Sequence, residues 1–270
     1  GSAALAGTSF PIDREATSQE LGFLGPIPNA LDATSDRSYI LDALHLSAGI
    51  MIDLSRISQE LVLWSGREFG FVNLSDSVTT GSSIMPQKRN PDMAELIRGR
   101  TGRVIANWVT LATTLKALPL GYNRDTQDDK PPLFDSMGKV KDSLELVYLM
   151  IESATWNVER MRESIRGDFS TATDLADYLA TTGIPFRQAH EMVGQIVRGC
   201  LERNWILEDL DEAKLREIAP DVPAGVLQAL MPEESIRRRE SLGAPGPNAI
   251  EKQLTHAQWI LDCEGFPKVS

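Results

Sequence analysis

Three long stretches of the chain carry apolar or small residues at alternating three- and four-residue steps, the spacing that puts them on one face of an α-helix. Ile40, Ala43, Ser47, Ile50, Leu54, Ile57, Leu61 and Trp64 form the first seam. Ile97, Thr101, Val104, Trp108, Leu111, Leu115 and Leu118 form the second, and Leu133, Met137, Val140, Leu144, Val147, Ile151 and Ala154 the third. Each seam predicts a rod of about 25–30 residues, about 40–45 Å long at the α-helical rise, and three such rods predict a bundle. No convincing run alternates with the period of a strand. After about Ile165 the expected helices shorten, to 174–181, 185–203, 209–218, 224–231 and 247–263. The pattern therefore predicts an all-α chain in two parts, a long-helix bundle over 1–164 and a smaller helical domain over 165–270.

One segment breaks the pattern. Residues 71–88 have no sustained helical seam and contain Gly81 and Pro86, between rods that a few residues could have joined. Loops of that length inside a compact domain are usually functional or disordered. The stretch GSSIMPQKRNPD, 81–92, places Ser82, Ser83, Lys88 and Asn90 beside a helix start. Asn90 reads as the N-cap, Pro91 as the first helical residue, and Asp92 and Glu95 fill the first turn. A helix N-terminus next to a lysine favours a carboxylate or phosphate, by about 0.3–2 kcal/mol from the dipole alone.

The string GSSxMPxKxNP within this loop resembles the signature of the fumarase and aspartase superfamily, and the fuller GSSIMPQKRNPD is similar to that of the argininosuccinate lyases. GYNRDTQDDK at 121–130 and ATDLADYLATTGIPFRQAHEMVG at 172–194 extend the resemblance over essentially the whole chain. It implies a long-helix bundle of the fumarase and aspartase type. It also implies a lyase that eliminates arginine from argininosuccinate to give fumarate, without cofactor or metal, as a cytoplasmic homotetramer whose active sites draw on three chains. Position by position, the first serine of the pair, Ser82, matches the general base, and Ser83 remains the competing hydroxyl. Lys88 and Asn90 match groups that hold the substrate's carboxylate, and Thr80 and Ser83 are further substrate contacts. Tyr122, Gln127 and Lys130 match substrate-contacting residues, as does Arg14 in PIDRE. Glu95 matches a glutamate that orients a catalytic histidine. That histidine sits in a Thr-His segment of the family's N-terminal portion, which nothing here matches, so the chain is expected to begin mid-protein. Two alternatives stand beside this: another fumarate-forming superfamily lyase (adenylosuccinate lyase, fumarase or aspartase), and a noncatalytic delta-crystallin-like assembly protein.

Composition narrows the partners. With 270 residues, 42% hydrophobic and 24% charged, the chain can bury a large core. A net charge of −11 argues against nucleic acid or an anionic membrane, which need a broadly basic face. Cys200 and Cys263 are too few for a disulfide framework and read as reduced thiols. No window approaches 18 consecutive apolar residues, and the first residues lack the charged and apolar regions of a signal peptide. His45, His190 and His256 lie on expected helices without a partner at metal-ligand spacing and read as structural. Arg237, Arg238 and Arg239 read as a solvated or ion-paired face. Residues 169–178 read as a helix start in which Thr173 precedes Asp174.

Overall fold

Asp36 accepts the Ser38 N–H at 2.9 Å, and the first long rod starts there. Hydrogen bonding from the Ser38 side chain, and then from its N–H, holds the Asp36 carboxyl below the usual carboxylate range. The structure, a computed structural model, describes residues 1–81, 84–85 and 89–263. The chain divides into two compact units, Gly1–Arg160 and Met161–Ser270.

In the first unit two short helices, α1 (Arg14–Glu20) and α2 (Ala30–Ser35), precede three rods: α3 (Ser38–Ser65), α4 (Asp92–Leu115) and α5 (Lys130–Glu152). Asp13 and Asn29 cap α1 and α2 by accepting the N–H groups of Ala16 and Asp32. Direct contacts give the rods' directions. Ile40 and Leu44, early on α3, pack with Leu111, late on α4, and with Leu133, early on α5. The Thr101 hydroxyl on α4 donates to the Met51 carbonyl midway along α3, and Arg98 donates to Gln59 farther on. α3 and α4 are therefore antiparallel, and α5 runs with α3.

The seams are half right in detail. Ile40, Ser47, Leu54 and Leu61 are buried on α3 as expected, but their companions are Leu44, Met51 and Ser58. Ile57 remains 42% exposed. On α4, Ala94, Ile97, Thr101, Val104 and Leu111 are buried, and Trp108 is exposed. On α5 the buried row is Pro132, Ser136, Val140, Ser143, Val147 and Met150, while Met137, Leu144 and Ile151 face outward. The rods pack through large apolar side chains interspersed with the small Ser47, Ser58, Ser136 and Ser143, and on α5 the expected Met137, Leu144 and Ile151 lie one position around the helix from the buried row. Leu118 and Ala154 fall beyond the helix ends, so α4 and α5 have 24 and 23 residues.

Two antiparallel ribbons of two-residue strands interrupt this helical unit. β1 (Val72–Asn73) pairs with β4 (Thr155–Trp156) and ties the exit of α3 to the exit of α5. β2 (Thr80–Gly81) pairs with β3 (Arg89–Asn90), with Thr80 opposite Asn90. Val72, Leu74 and Val78 complete the core formed by α3, α4 and α5. The start of α4 differs from expectation. Asn90 belongs to β3, Pro91 is the N-cap residue, and no side chain caps the helix. Pro91 instead supplies the carbonyl that receives the Glu95 N–H, at 3.1 Å. Asn90 is extended because it is hydrogen-bonded into the ribbon.

α6 (Val158–Ser164) spans the division between the units. The second unit then contains α7 (Ala172–Thr181), α8 (Phe186–Arg203), α9 (Glu212–Ile218), α10 (Pro232–Arg238) and α11 (Pro247–Cys263). α7 starts two residues before the expected position, so Thr173 lies inside it rather than at its cap. Residues 209–218 resolve into a 3₁₀ turn at Leu207–Asp209 and the shorter α9, while Ala224–Leu230 is 3₁₀. Leu175 and Leu179 of α7 pack with Val193, Ile196 and Cys200 of α8 in this unit's core. Gly199 allows a close approach of α8 to α9: a Cβ there would lie 2.6 Å from Cβ of Ile218. The arginine run is tied down within the unit. Arg237 pairs with Glu234, Arg239 with Asp174, and Arg238 lies 5.0 Å from the Tyr178 ring centre.

Candidate functional site

The β2–β3 ribbon sets Gly81 opposite Arg89, on either side of the motif's central residues. The Thr80 hydroxyl donates to the Asp92 carboxylate, locking the ribbon to the first residue of α4. Arg89 pairs with Asp76 at 2.8 Å on the other side of the stem. Ser82, Ser83 and Lys88 lie outside the described residues. Thr80 and Asn90 pair across the stem, and Glu95 lies in the first turn of α4, three residues after Asp92. Glu95 is exposed and pairs loosely with Arg98, at 3.9 Å.

The second group of candidate residues is held on another device. Gly121 adopts φ +102°, and Leu31 and Leu5 stand 3.4 and 3.5 Å from where a Cβ would be, so only glycine turns the chain there without strain. A 3₁₀ turn, Arg124–Asp129, then runs into α5. Thr126 closes the turn by donating to the Asn123 carbonyl at 2.7 Å, and Asn123 donates to the Pro119 carbonyl at 2.7 Å. The segment is thus an ordered turn with Thr126 and Asp129 buried. It presents Tyr122 and Gln127 outward, the Gln127 amide donating to the Tyr122 hydroxyl at 3.4 Å.

Lys130, the first residue of α5, donates to Asp129 Oδ1 at 2.7 Å, and Arg37 donates to Asp129 Oδ2 at 2.6 Å. The Asp129 side chain is 1% exposed, the Lys130 side chain 61%. Burial acts to raise the Asp129 pKa, but hydrogen bonds from Lys130 and Arg37 and their charges outweigh it, holding the carboxyl below the usual range. Sequence reading missed both Arg37 and Asp129. They are separated by 92 residues, and no spacing rule connects them.

Arg14 occupies the first turn of α1 and donates to the Ile27 carbonyl at 2.8 Å. With Thr17, Ser18, Phe23 and Ile27 it lines a cleft of about 490 Å³. A second cleft of about 300 Å³ lies beside the turn, lined by Arg37, Gly121, Asn123 and Thr126. None of the three histidines joins these groups. His45 lies beside Trp108, His190 beside Phe186, and His256 stacks on Trp259. Among the described residues no helix is long and apolar enough to cross a membrane.

Arg14 apart, the candidates thus fall into two groups, at opposite ends of α4. The loop stem precedes Asp92, whereas Tyr122, Gln127 and Lys130 follow Leu115, and 24 helical residues separate those ends. At 1.5 Å per residue that separation is about 36 Å, too far for both groups of one chain to touch a small molecule.

Comparison with known proteins adds to this geometry. A family described as Lyase matches residues 1–106, and one described as Argininosuccinate lyase C-terminal matches 169–237. The argininosuccinate lyase of Symbiobacterium thermophilum is 48% identical over 261 residues, 97% of this chain and 57% of that protein. The argininosuccinate lyase of Limosilactobacillus fermentum is 49% identical with the same coverage. The chain thus spans a little over half the length of the curated relatives it matches. Among solved structures, EDDS lyase in complex with formate superposes with a TM-score of 0.80 at 29% identity, covering 97% of this chain and 54% of that one. A fumarate lyase:delta crystallin from Brucella melitensis does so with a TM-score of 0.60 at 25% identity, over 79% and 46%.

Proposed function

The chain belongs to the argininosuccinate lyase family, and we propose that the whole protein splits argininosuccinate into arginine and fumarate. The observation that carries this reading is the 48% identity to an argininosuccinate lyase across 97% of the chain, including the regions of both residue groups. The reaction removes a proton from the succinyl carbon beside a carboxylate. The electron pair left behind forms the C=C bond of fumarate as the neighbouring C–N bond breaks, and the departing guanidino nitrogen takes up a proton.

Such a carbon acid is weak, and the carbanion spreads its charge onto the adjacent carboxylate. In our reading Ser82 removes the proton, with Ser83 the competing hydroxyl, and Lys88, Asn90 and Thr80 hold the carboxylate that accepts the charge. Losing one donor of this kind costs about 2.7–4 kcal/mol in the transition state. A serine hydroxyl is too weak a base unless a surrounding positive field activates it, and closure of the loop to exclude water strengthens that field. Glu95 orients the family's histidine, which assists the leaving group and comes from the Thr-His segment of the whole protein. The elimination uses no cofactor and no metal.

Tyr122, Gln127 and Lys130 contact the substrate from another copy of the chain, because α4 separates them from the loop by about 36 Å, and Arg14 is a further substrate contact. The exposed Ile57, Met137, Leu144 and Ile151 support such packing of rods between copies, in a cytoplasmic homotetramer. The test is a substrate panel. Full-length protein is incubated with argininosuccinate, adenylosuccinate and aspartate, and fumarate and ammonia are measured. Fumarate from argininosuccinate alone is expected, and ammonia released from aspartate would overturn the assignment.

A further inference from the structure

Asp129 is nearly sealed from solvent, yet it touches two cations, one on each carboxylate oxygen. A buried carboxylate with a single cationic partner would cancel that partner's charge. Here Arg37 and Lys130 together carry two positive charges against one negative, leaving the trio with a net positive charge. The guanidinium side chain is 16% exposed and lies inward, whereas the Lys130 side chain is mostly in solvent. The excess charge therefore resides on the outward ammonium. One Lys130 N–H is taken by Asp129, leaving two donors for a ligand.

We propose that Asp129 and Arg37 are positioning residues for Lys130: Asp129 fixes the ammonium by one hydrogen bond, and Arg37 offsets the carboxylate so that Lys130 keeps its attraction for a substrate carboxylate. This rests on reading Lys130 as a substrate contact. Arg37 is fixed in turn by donating to the carbonyls of Thr34 and Asp36, at 3.2 and 2.6 Å. Tethering limits the rotamers of a long flexible side chain, so less entropy is lost when substrate arrives. Loss of the tether is expected to appear mainly in KM, because the contact with the carboxylate already exists in the ground state.

The experiment is a double-mutant cycle in the full-length protein, following fumarate release from argininosuccinate for wild type, Asp129→Asn, Lys130→Met and the double variant. Each single change is expected to lower kcat/KM about tenfold, largely through KM, and the double variant to be no worse than Lys130→Met alone. Losses that multiply would overturn the positioning role while leaving Lys130 as a contact. Unchanged kcat/KM in Lys130→Met would overturn the reading of Lys130 and the proposal with it. Because Asp129 is buried and its substitution endangers folding, Arg37→Met supplies a second route. It leaves Asp129 and Lys130 to cancel each other, so KM is expected to rise about tenfold with kcat within twofold; a fall in kcat and folded fraction at unchanged KM would contradict the proposal.

Discussion

Thr80 faces Asn90 across a ribbon only two residues long, which brings Gly81 opposite Arg89 two residues before Pro91, the N-cap residue of α4. The latch from the Thr80 hydroxyl to Asp92 ties that stem to the helix.

Thr80→Val keeps the shape of the side chain and removes the donor. We expect faster hydrogen exchange at the Gly81 and Arg89 amides, a stem weakened by about 0.5–1.5 kcal/mol, and a several-fold lower kcat for argininosuccinate with little change in overall helicity. Exchange equal to wild type would show that the ribbon stands without the latch.

Ser58 and Ser143 are fully buried, and among the described residues their hydroxyls have no hydrogen-bond partner. Ser58→Ala and Ser143→Ala each remove an unsatisfied group from a site too tight for a larger one. Denaturant melts should show unchanged or raised stability, by up to about 1 kcal/mol. A loss of that size would mean that the hydroxyls are satisfied.

These serines also show how far the sequence was legible. The three rods could be read from their seams, and Ile40, Ser47, Leu54 and Leu61 are buried as the period requires. The second row on α5 was misplaced because apolar pattern favours Met137, Leu144 and Ile151 over Ser136, Ser143 and Met150. A hydrophobic pattern registers every apolar surface, whereas the chain on α5 buries Ser136 and Ser143 among its apolar residues and leaves Met137, Leu144 and Ile151 outside. Of the candidate site, the residue types were readable from the motif and their separation from the second seam, but the two-residue ribbon was not, because it is too short to carry a period. The Arg37–Asp129 pair is a tertiary contact that only the fold creates.

Asp135 on α5 accepts from Lys139 and from Asn107, and these hydrogen bonds, with Arg103 nearby, lower its pKa from 3.8 to about 2. A carboxyl depressed in the folded state stabilises fully above its unfolded pKa, and that contribution disappears as pH falls through the folded value. The contribution, discounted for partial exposure, is about 1 kcal/mol. Asp135→Asn should lower stability at pH 7 by about that amount. The acid unfolding curves of variant and wild type should converge between pH 3.8 and about 2. A constant gap across that window would contradict this account.

Gly199→Ala places a methyl 2.6 Å from Cβ of Ile218, where α8 meets α9. The alanine gains helix propensity, but the overlap is between short, stiff groups. Thermal melts of the second unit should fall by the equivalent of about 1–3 kcal/mol, and Ile218→Ala in the same chain should recover part of the loss. Unchanged or raised stability would mean that α9 shifts freely away from α8.

The most direct test of the central claim is a single comparison of full-length wild type and Ser82→Ala on argininosuccinate, with substrate binding measured alongside product release. The account predicts arginine and fumarate in equal amounts from the wild type. For Ser82→Ala it predicts nearly abolished turnover with binding and helicity retained, because a general base acts on the transition state. Near-wild-type turnover by Ser82→Ala would contradict it.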